Sequence, residues 1–544
     1  MKNSRIFLIM LFLLTAAGLS ASPYDMILTG DPVIEDIRFL SLETGNPVLS
    51  FTPPFAPHEI KNFLNRIDPD TLSLPAKEAY NRIRERLSPS TPLSLLWENF
   101  ALFFNIDATV EGRVRFNTDM DWHPFNSKIP SLLSVPLRLF FSDSLMLYVD
   151  PAIGLDPHDY YPDGNFSNNI VFLPGNDIHG NSPFRTFVAA GGPWWNFQLG
   201  RDRLSFGTGI SGNLGIADNP PFYEFARLSF FSDQVKYSLV VIQSPLRLTE
   251  EFYPALDPNG DYLQHTTQRY FYQSRIDFSL FNKVNISLQE GVMVGNSALE
   301  LRYLNPLMIF HNAMMWRDYD DWPANEEHQG FMLGSFFTAE LNWSIIKSLS
   351  FYAQFAMTEL SIGPELEEGR EEPPNGVGVM GGLQFSRSIG NWGAVFYLEC
   401  IYTSPFLYML ASPYASLIFM HHNGFVHSEN YYYFFGYNRD TFALTLGTKM
   451  FNGGNLTING ELSWVSQGER GGFPIVWDWT KKDQSASPSG TPQNNFILSV
   501  GASWKLFPFL TLNGNVTGIY SQNYNHNGSD ITGGQVSLSV NFHY

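Results

Sequence analysis

The residues best suited to chemistry lie in one stretch, "FQLGRDRLSFGTGISGNLGIADNPPF", Phe197 to Phe222. Arg201, Asp202 and Arg203 open it, and Asn213, Asp218 and Asn219 follow. An arginine fork holds a carboxylate or phosphate through two parallel hydrogen bonds, which lysine cannot copy. Gly200, Gly207, Gly209, Gly212 and Gly215 permit tight turns or close approach to a ligand. No Gly-Lys-Ser/Thr follows and no helical pattern opens, so the stretch is not a phosphate loop. It is expected to fold as a structured loop. Trp477 and Trp479, in a distant polar segment, offer flat faces of the kind sugar rings stack on. These eight residues form the candidate ligand-binding set. Their bland alternative is structural: arginines paired with Asp202 and wall carboxylates, tryptophans packed in loops.

Other chemistries find no footing in the sequence. The histidines show no zinc spacing, and His421–His422 reads as a solvated pair. "DPNGD", Asp257 to Asp261, begins like a calcium loop but lacks the glycine at position six and the glutamate at twelve. There is no Gly-x-Ser-x-Gly and no evident acid/base pair. The expectation is a protein with no catalytic residues, no metal and no cofactor. Cys400, the single cysteine, excludes an internal disulfide and reads as a wall residue of a strand.

The elements that must position these residues are strands. In "FILSVGASWKL", Phe496, Leu498, Val500, Ala502 and Trp504 share one face; in "GGQVSLSVNFHY", Val536, Leu538, Val540, Phe542 and Tyr544 alternate with Ser537, Ser539, Asn541 and His543. Period-2 alternation is the strand signal. It persists from about Glu98 onward. Charged residues make up only 16% of the chain, against roughly 25% in ordinary soluble domains, while aromatics reach 15%. The net charge of −19 disfavours a nucleic-acid partner. No run of apolar residues after the N-terminus is long enough for a membrane helix. Alternating strands, many aromatics and few charges point to an outer-membrane barrel.

Connections support that reading. Tight turns are expected near Ser142–Ser144, Gly191–Trp194, Ser232–Gln234, Phe281–Val284, Ile346–Ser348, Arg387–Asn391, Phe451–Asn455 and Leu506–Pro508, with long polar segments between them. Eight turns and nine long loops give about 18 strands with both chain ends on the periplasmic side. Tyr431–Phe435 is β-prone, but as a spanning strand it would break the alternation, so it is placed in an outer loop or strand extension. Lys2 and Arg5 before the apolar run Ile6–Leu14, then small residues, read as a signal peptide over 1–21. Residues 22–97 carry amphipathic helices: one with Asp31 as cap, Pro32 at the first position and Gly45 as stop, then "APHEIKNFLNRI" and "PAKEAYNRIRERL". Residues 98–544 would form the barrel. The expected fold is thus an all-β membrane protein, a closed antiparallel transmembrane β-barrel with a short periplasmic helical segment. Its final strand, ending on Tyr544, resembles the signal read by the outer-membrane barrel-insertion machinery.

Alternation also sorts wall charges to the inner side, among them Arg113, Arg227, Lys236, Arg275, Asp277 and Glu340. They read either as wall salt bridges or as a mildly basic path for anions. Several stretches, "GRDRLSFGTGISGNLGIADNPPF", the helix pair "PFAPHEIKNFLNRI…PAKEAYNRIRERL" and "LNPLMIFHN…GSFFTAELNWSIIKSLSFYAQFAMTEL", resemble the capsule-assembly Wzi family. Gly200, Arg201, Phe206, Gly207, Gly209, Gly212, Asn213, Asp218 and Asn219 carry the match in the first. The resemblance implies an 18-stranded outer-membrane barrel with a periplasmic helical bundle, acting as a non-enzymatic lectin that retains or organises surface polysaccharide. The alternative is a porin or diffusion channel for small solutes, anions included. An open interior would favour the channel, and one plugged by loops and helices the binder.

Overall fold

The computed structural model describes residues 24–88, 93–97, 100–117, 120, 130–155, 166–168, 178–179, 185–244, 246–247, 266–295, 298–310, 333–359, 375–409, 417–423, 427–432, 436–471 and 486–544. The expected signal peptide, the Asp257–Asp261 turn, Trp477 and Trp479 lie outside the described residues.

Among the described residues three helices come first. Helix α1 spans Val33–Thr44, α2 Pro57–Asn65 and α3 Leu74–Arg86. The Asp31 carboxylate accepts from Val33 N at 3.1 Å, and Gly45 ends α1 in the left-handed conformation at φ 67°. Pro57 opens α2, and the Glu59 side chain reaches back to Ala56 N at 3.1 Å. The apolar stripes of all three share one core, with Ile37, Leu40, Ile60, Phe63, Ala79 and Ile83 buried in it. Among the described residues no helix is long and apolar enough to cross a membrane.

Most of the rest of the described chain is antiparallel sheet. From Thr186 onward each strand of the large sheet pairs with the next, ending with Leu510–Tyr524 against Ser529–His543. That last strand also pairs with Asp107–Phe116, in register from Gly534↔Phe116 to His543↔Asp107. Phe100–Phe104 pairs with Leu137–Phe141, which pairs with Leu145–Val149, which pairs with Thr186–Gly191. The sheet contains 24 strand segments among the described residues, more than the 18 or so strands expected. Three of the six extra segments are the short pieces Ser94–Trp97, Phe166–Ser167 and Ile178–His179. Three come from interrupted runs: Phe100–Phe104 is split from Asp107–Phe116 at Asn105–Ile106, and two further breaks have a local cause. Pro136 and Pro151 cannot donate to a ladder, and each interrupts a run: Leu133–Ser134 from Leu137–Phe141, and Leu145–Val149 from Ala152–Leu155. Hydrogen bonds cross these breaks, Asn105 N to Pro136 O and Val135 N to Pro151 O, both 3.1 Å.

Each of the eight expected tight turns joins two paired strands. Among the described residues His427–Tyr432 pairs only with Ile418–Asn423, in a small sheet of its own. Cys400 sits in the strand Trp392–Thr403.

The two faces of the large sheet differ. The helices pack against one, the inner face, through Val395 and Phe451. On that face Thr445, Ser463, Arg227, Lys236, Arg275 and Asp277 are buried. On the outer face Leu446, Leu462, Leu498, Val500, Trp504, Val516 and Leu538 are exposed. Buried charged and polar side chains on the inner face beneath an apolar outer face invert the arrangement of a water-soluble sheet and suit a lipid surround.

The helices sit at the short-turn end. The Glu43 carboxylate accepts from Ser73, Ser386 and Ser388 at 3.0, 3.0 and 3.1 Å, and Ser348 N donates to Leu42 O at 2.8 Å. Asn285 donates to Val48 O at 2.5 Å.

Candidate functional site

The strand Trp195–Asp202 ends at the long-connection end of the sheet, and the chain then turns inward. Residues 203–222 fold against the inner face rather than standing above it. Ser205 N and Gly207 N donate to Pro53 O and Phe51 O at 3.3 and 2.9 Å, so the loop zips onto the segment before α2. Phe206 N donates to Ile216 O at 2.8 Å and closes the loop upon itself.

Wall carboxylates receive the loop backbone. Thr208 donates from N and Oγ1 to Glu340, both at 3.0 Å, and Arg38 of α1 donates to Thr208 O at 3.0 Å. Ile210 N and Ser211 N donate to Glu399 at 2.9 and 3.0 Å, as does the Ser211 hydroxyl. Tyr352 donates its hydroxyl to the same carboxylate at 2.5 Å. Glycine is required at two of these bends. Gly207 has φ 136°, and a Cβ there would lie 2.3 Å from Asn213 Oδ1; at Gly209 it would lie 1.8 Å from Gly212 O.

An apolar layer surrounds the loop. Leu204, Phe206, Leu214 and Ile216 share a core with inner-face residues of successive strands. Phe225, Ile242, Phe271 and Met293 stand directly opposite one another across four strands. Met380, Ile401, Ala443 and Val465 do the same farther round, and Ile497 faces Ile519. The sequence carried a signal for this layer: apolar residues of both parities adjoin at Trp464–Val465, Phe496–Ile497–Leu498 and Ile519–Tyr520. Beneath it, Arg38, Ser41, Thr208, Asn342, Tyr352 and Gln384 line a cavity of about 30 Å³. That holds about two waters and no sugar ring.

The predicted site residues divide. Arg203 forks onto Asp218, with Nε at 2.8 Å, and Arg201 pairs with Glu224 at 2.5 Å while its guanidinium lies 4.0 Å over the Phe222 ring. Asp202 is buried and does not pair with either arginine side chain. It takes Arg185 at 2.5 Å, Gln198 at 2.9 Å and Arg203 N at 2.8 Å. Asn213 is buried as a knot of the loop, accepting from Gly209 N at 3.1 Å and Gln354 at 2.8 Å and donating to Ser205 at 3.0 Å. Asn219 lies beside Gly436. Arg201, Arg203, Asp218 and Asn219 are therefore brought to the long-connection end. Asp202 and Asn213 are buried in the scaffold there. Glu399, Gln354 and Tyr408, whose hydroxyl donates to Leu214 O at 3.0 Å, hold the loop and Arg185 the strand end, and none of them was singled out by sequence.

The inner charges are spent on the N-terminal segment and on one another. Arg227 donates to Thr52 O and Pro54 O at 3.0 Å each, and Lys236 to Thr52 Oγ1 at 2.9 Å and to Glu59. Arg275 bonds Asp277 at 2.8 Å and Glu340 at 3.0 Å. That favours wall and plug pairing over a free basic path. In the helices, burial raises the Asp36 carboxyl above its usual range, with the Arg82 pair opposing it. Burial, then Lys61, lowers His58.

No protein-family model matches this chain, and no curated protein sequence does. Among solved structures it is similar to Wzi of Escherichia coli, an outer membrane protein involved in group 1 capsule assembly and a carbohydrate-binding β-barrel. The TM-score is 0.52 at 13% identity, over 96% of this chain and 99% of that one. Pseudomonas aeruginosa OccK3 (OpdO) follows at TM-score 0.41 and 10% identity, over 81% and 95%. OprD of the same organism aligns at 0.39 and 9%, over 81% and 95%. The likeness to Wzi is one of fold.

Proposed function

We propose that this chain is a closed outer-membrane β-barrel of 18 spanning strands that binds or organises surface polysaccharide and carries no enzymatic activity. The ladder between Ser529–His543 and Asp107–Phe116 supports closure. Counting the three interrupted runs once each and setting aside the short segments Ser94–Trp97, Phe166–Ser167 and Ile178–His179 supports the number 18. The apolar outer face supports a lipid surround. Both chain ends, with the helical segment 22–97, then belong to the periplasmic side and the barrel to 98–544. The surface polysaccharide meets the long-connection end, where Arg201, Arg203, Asp218 and Asn219 gather, and Trp477 and Trp479 are the residues proposed to stack on it.

The observation that carries the reading is the inward loop 203–222 with its apolar layer, which favours a plugged barrel over a pore. One feature favours the second reading, a diffusion channel for small solutes. Asn459 is exposed on the inner face, and Asn513, Asn515 and Ser503 beside it are only partly covered. Planar-bilayer conductance, run beside a glycan-binding screen, separates the two. Glycan binding without steady conductance is expected. Steady conductance without glycan binding would replace the binder with the channel.

A further inference from the structure

Among the described residues, one stretch of the wall has its outer face covered. On the strand Val284–Gly295, Ile286 and Leu288 point outward and are exposed, Leu288 by 42%. Two positions farther up the same face, Val292 is 0% exposed. Its cross-strand neighbours Tyr272 and Val241 also point outward and are also buried. The cover is the chain's own segment 298–310, which leaves the long-connection end and folds back along the outside. Tyr303 stacks obliquely on Tyr272 with centroids 5.0 Å apart, and Phe310 meets Tyr303 edge-on at 5.7 Å. Both join Leu239, Val241, Val292 and Val294 in one small core.

Two hydrogen bonds fix this segment at either end. Glu300 N donates to the Tyr272 hydroxyl at 2.8 Å. Phe310 N donates to the Glu290 carboxylate at 2.8 Å. Glu290 occupies an outward position between Leu288 and Val292, where a carboxylate facing acyl chains would be costly. The Phe310 bond gives it a partner. The surface that the segment itself presents is mainly apolar: Leu301 is 77% and Leu307 89% exposed, with Leu299 and Ile309 beside them, while Asn305 is exposed and Arg302 pairs with Glu300 at 3.3 Å.

We propose that residues 298–310 form a lipid-inserted brace on the outside of the barrel, pinned by Glu290 and seated among the acyl chains of the membrane through Leu301, Leu307 and Ile309. Continuity identifies the occupant. The brace lies directly above Leu288, Ile286 and Phe278 on the same strands, so its exposed side chains extend the apolar belt. It transposes that belt outward by one layer of chain while keeping it mainly apolar. A segment meant for water would not present leucines where the belt continues.

The proposal rests on the membrane-barrel reading, and the test keeps the two apart. Cys400→Ser leaves no other thiol, so a nitroxide can be placed singly at Leu307→Cys or at Leu498→Cys in the plain belt. The full chain is reconstituted in phosphatidylcholine bilayers, and collision with oxygen is compared with collision with a water-soluble nickel chelate. Both sites should favour oxygen to a comparable degree. Nickel access at Leu498 as well as Leu307 would remove the barrel reading itself. Nickel access at Leu307 alone would overturn only the brace. Exclusion of both reagents at Leu307 would mean that protein covers it, a second copy or another part of this chain, and would also overturn the brace. Glu290→Leu should loosen the label at Leu307 and admit nickel, and Glu290→Gln, which keeps an acceptor, should do so less. An unchanged Leu307 signal in well-assembled Glu290→Leu protein would strip Glu290 of its role as the pin.

Discussion

Arg203 and Asp218 stand near the two ends of the folded-in loop, so their pair closes it into a ring. Both side chains are partly exposed, and a pair of that kind is worth roughly 0.2–1 kcal/mol. Losing it should therefore leave assembly intact. A guanidinium has five N–H donors and one carboxylate engages two, which leaves geometry for a second anion. Arg201→Ala with Arg203→Ala should weaken polysaccharide retention at the cell surface while heat-modifiable gel mobility stays that of the parent. Arg203→Lys should not restore retention, because an ammonium cannot fork. Unchanged retention in a well-assembled double variant would take both residues out of the site. Failed assembly would make them structural.

Glu399 is the element-scale counterpart, one buried carboxylate that gathers two loop N–H groups and two hydroxyls. Removing it leaves those donors buried without an acceptor, at about 1–3 kcal/mol for each group that finds no substitute. Glu399→Ala should expose the Ser205–Ile216 loop to limited proteolysis, and Glu399→Gln, which keeps one oxygen, should do so less. Equal protease resistance in all three proteins would mean that the apolar layer alone holds the loop. The helical segment should respond to pH. His58 has a folded value below its ordinary 6.5, so its contribution is complete above that value and is lost as pH falls through it. Docking of the helices, followed by a fluorophore on α3, should weaken below about pH 6.5, and His58→Gln should flatten that dependence. How much of this was legible follows from its range along the chain. Turns and face parity are local, and the eight short connections could be read from Ser142 to Pro508. The caps at Asp31 and Gly45 are local too. The loop's receivers are not: Ile210 and Glu399 lie 189 positions apart, and no periodicity links them. The covering of Tyr272 and Val292 by residues 298–310 was equally invisible, since an outward apolar residue reads the same whether lipid or chain lies upon it.

At the scale of the whole molecule, two fillings meet inside the barrel proposed here. The helices occupy the short-turn end, bonded through Glu43, Glu59 and Thr52. The loop 203–222 occupies the long-connection half, inside an apolar layer drawn from most of the strands around it. An ion crossing that layer must shed water against Ile401, Val465, Ile497 and Ile519, none of which offers a hydrogen bond. Apolar constrictions close pores by dewetting. The purified chain should therefore give no steady conductance in a planar bilayer. The seal can be tested without touching the outer face. Ile497→Asn with Ile519→Asn puts amides at two directly opposed inner positions, while Phe496, Leu498 and Tyr520 still face outward. That variant should assemble, keep heat-modifiable mobility and conduct. Deleting residues 205–216 should conduct more, because it removes the plug together with its apolar lining. If both variants assemble and stay silent, the helices alone are the barrier and the layer is ordinary packing. If the parent already conducts steadily, the partly covered lane beside Asn459, Asn513 and Asn515 is an open path, and the diffusion-channel reading displaces the binder.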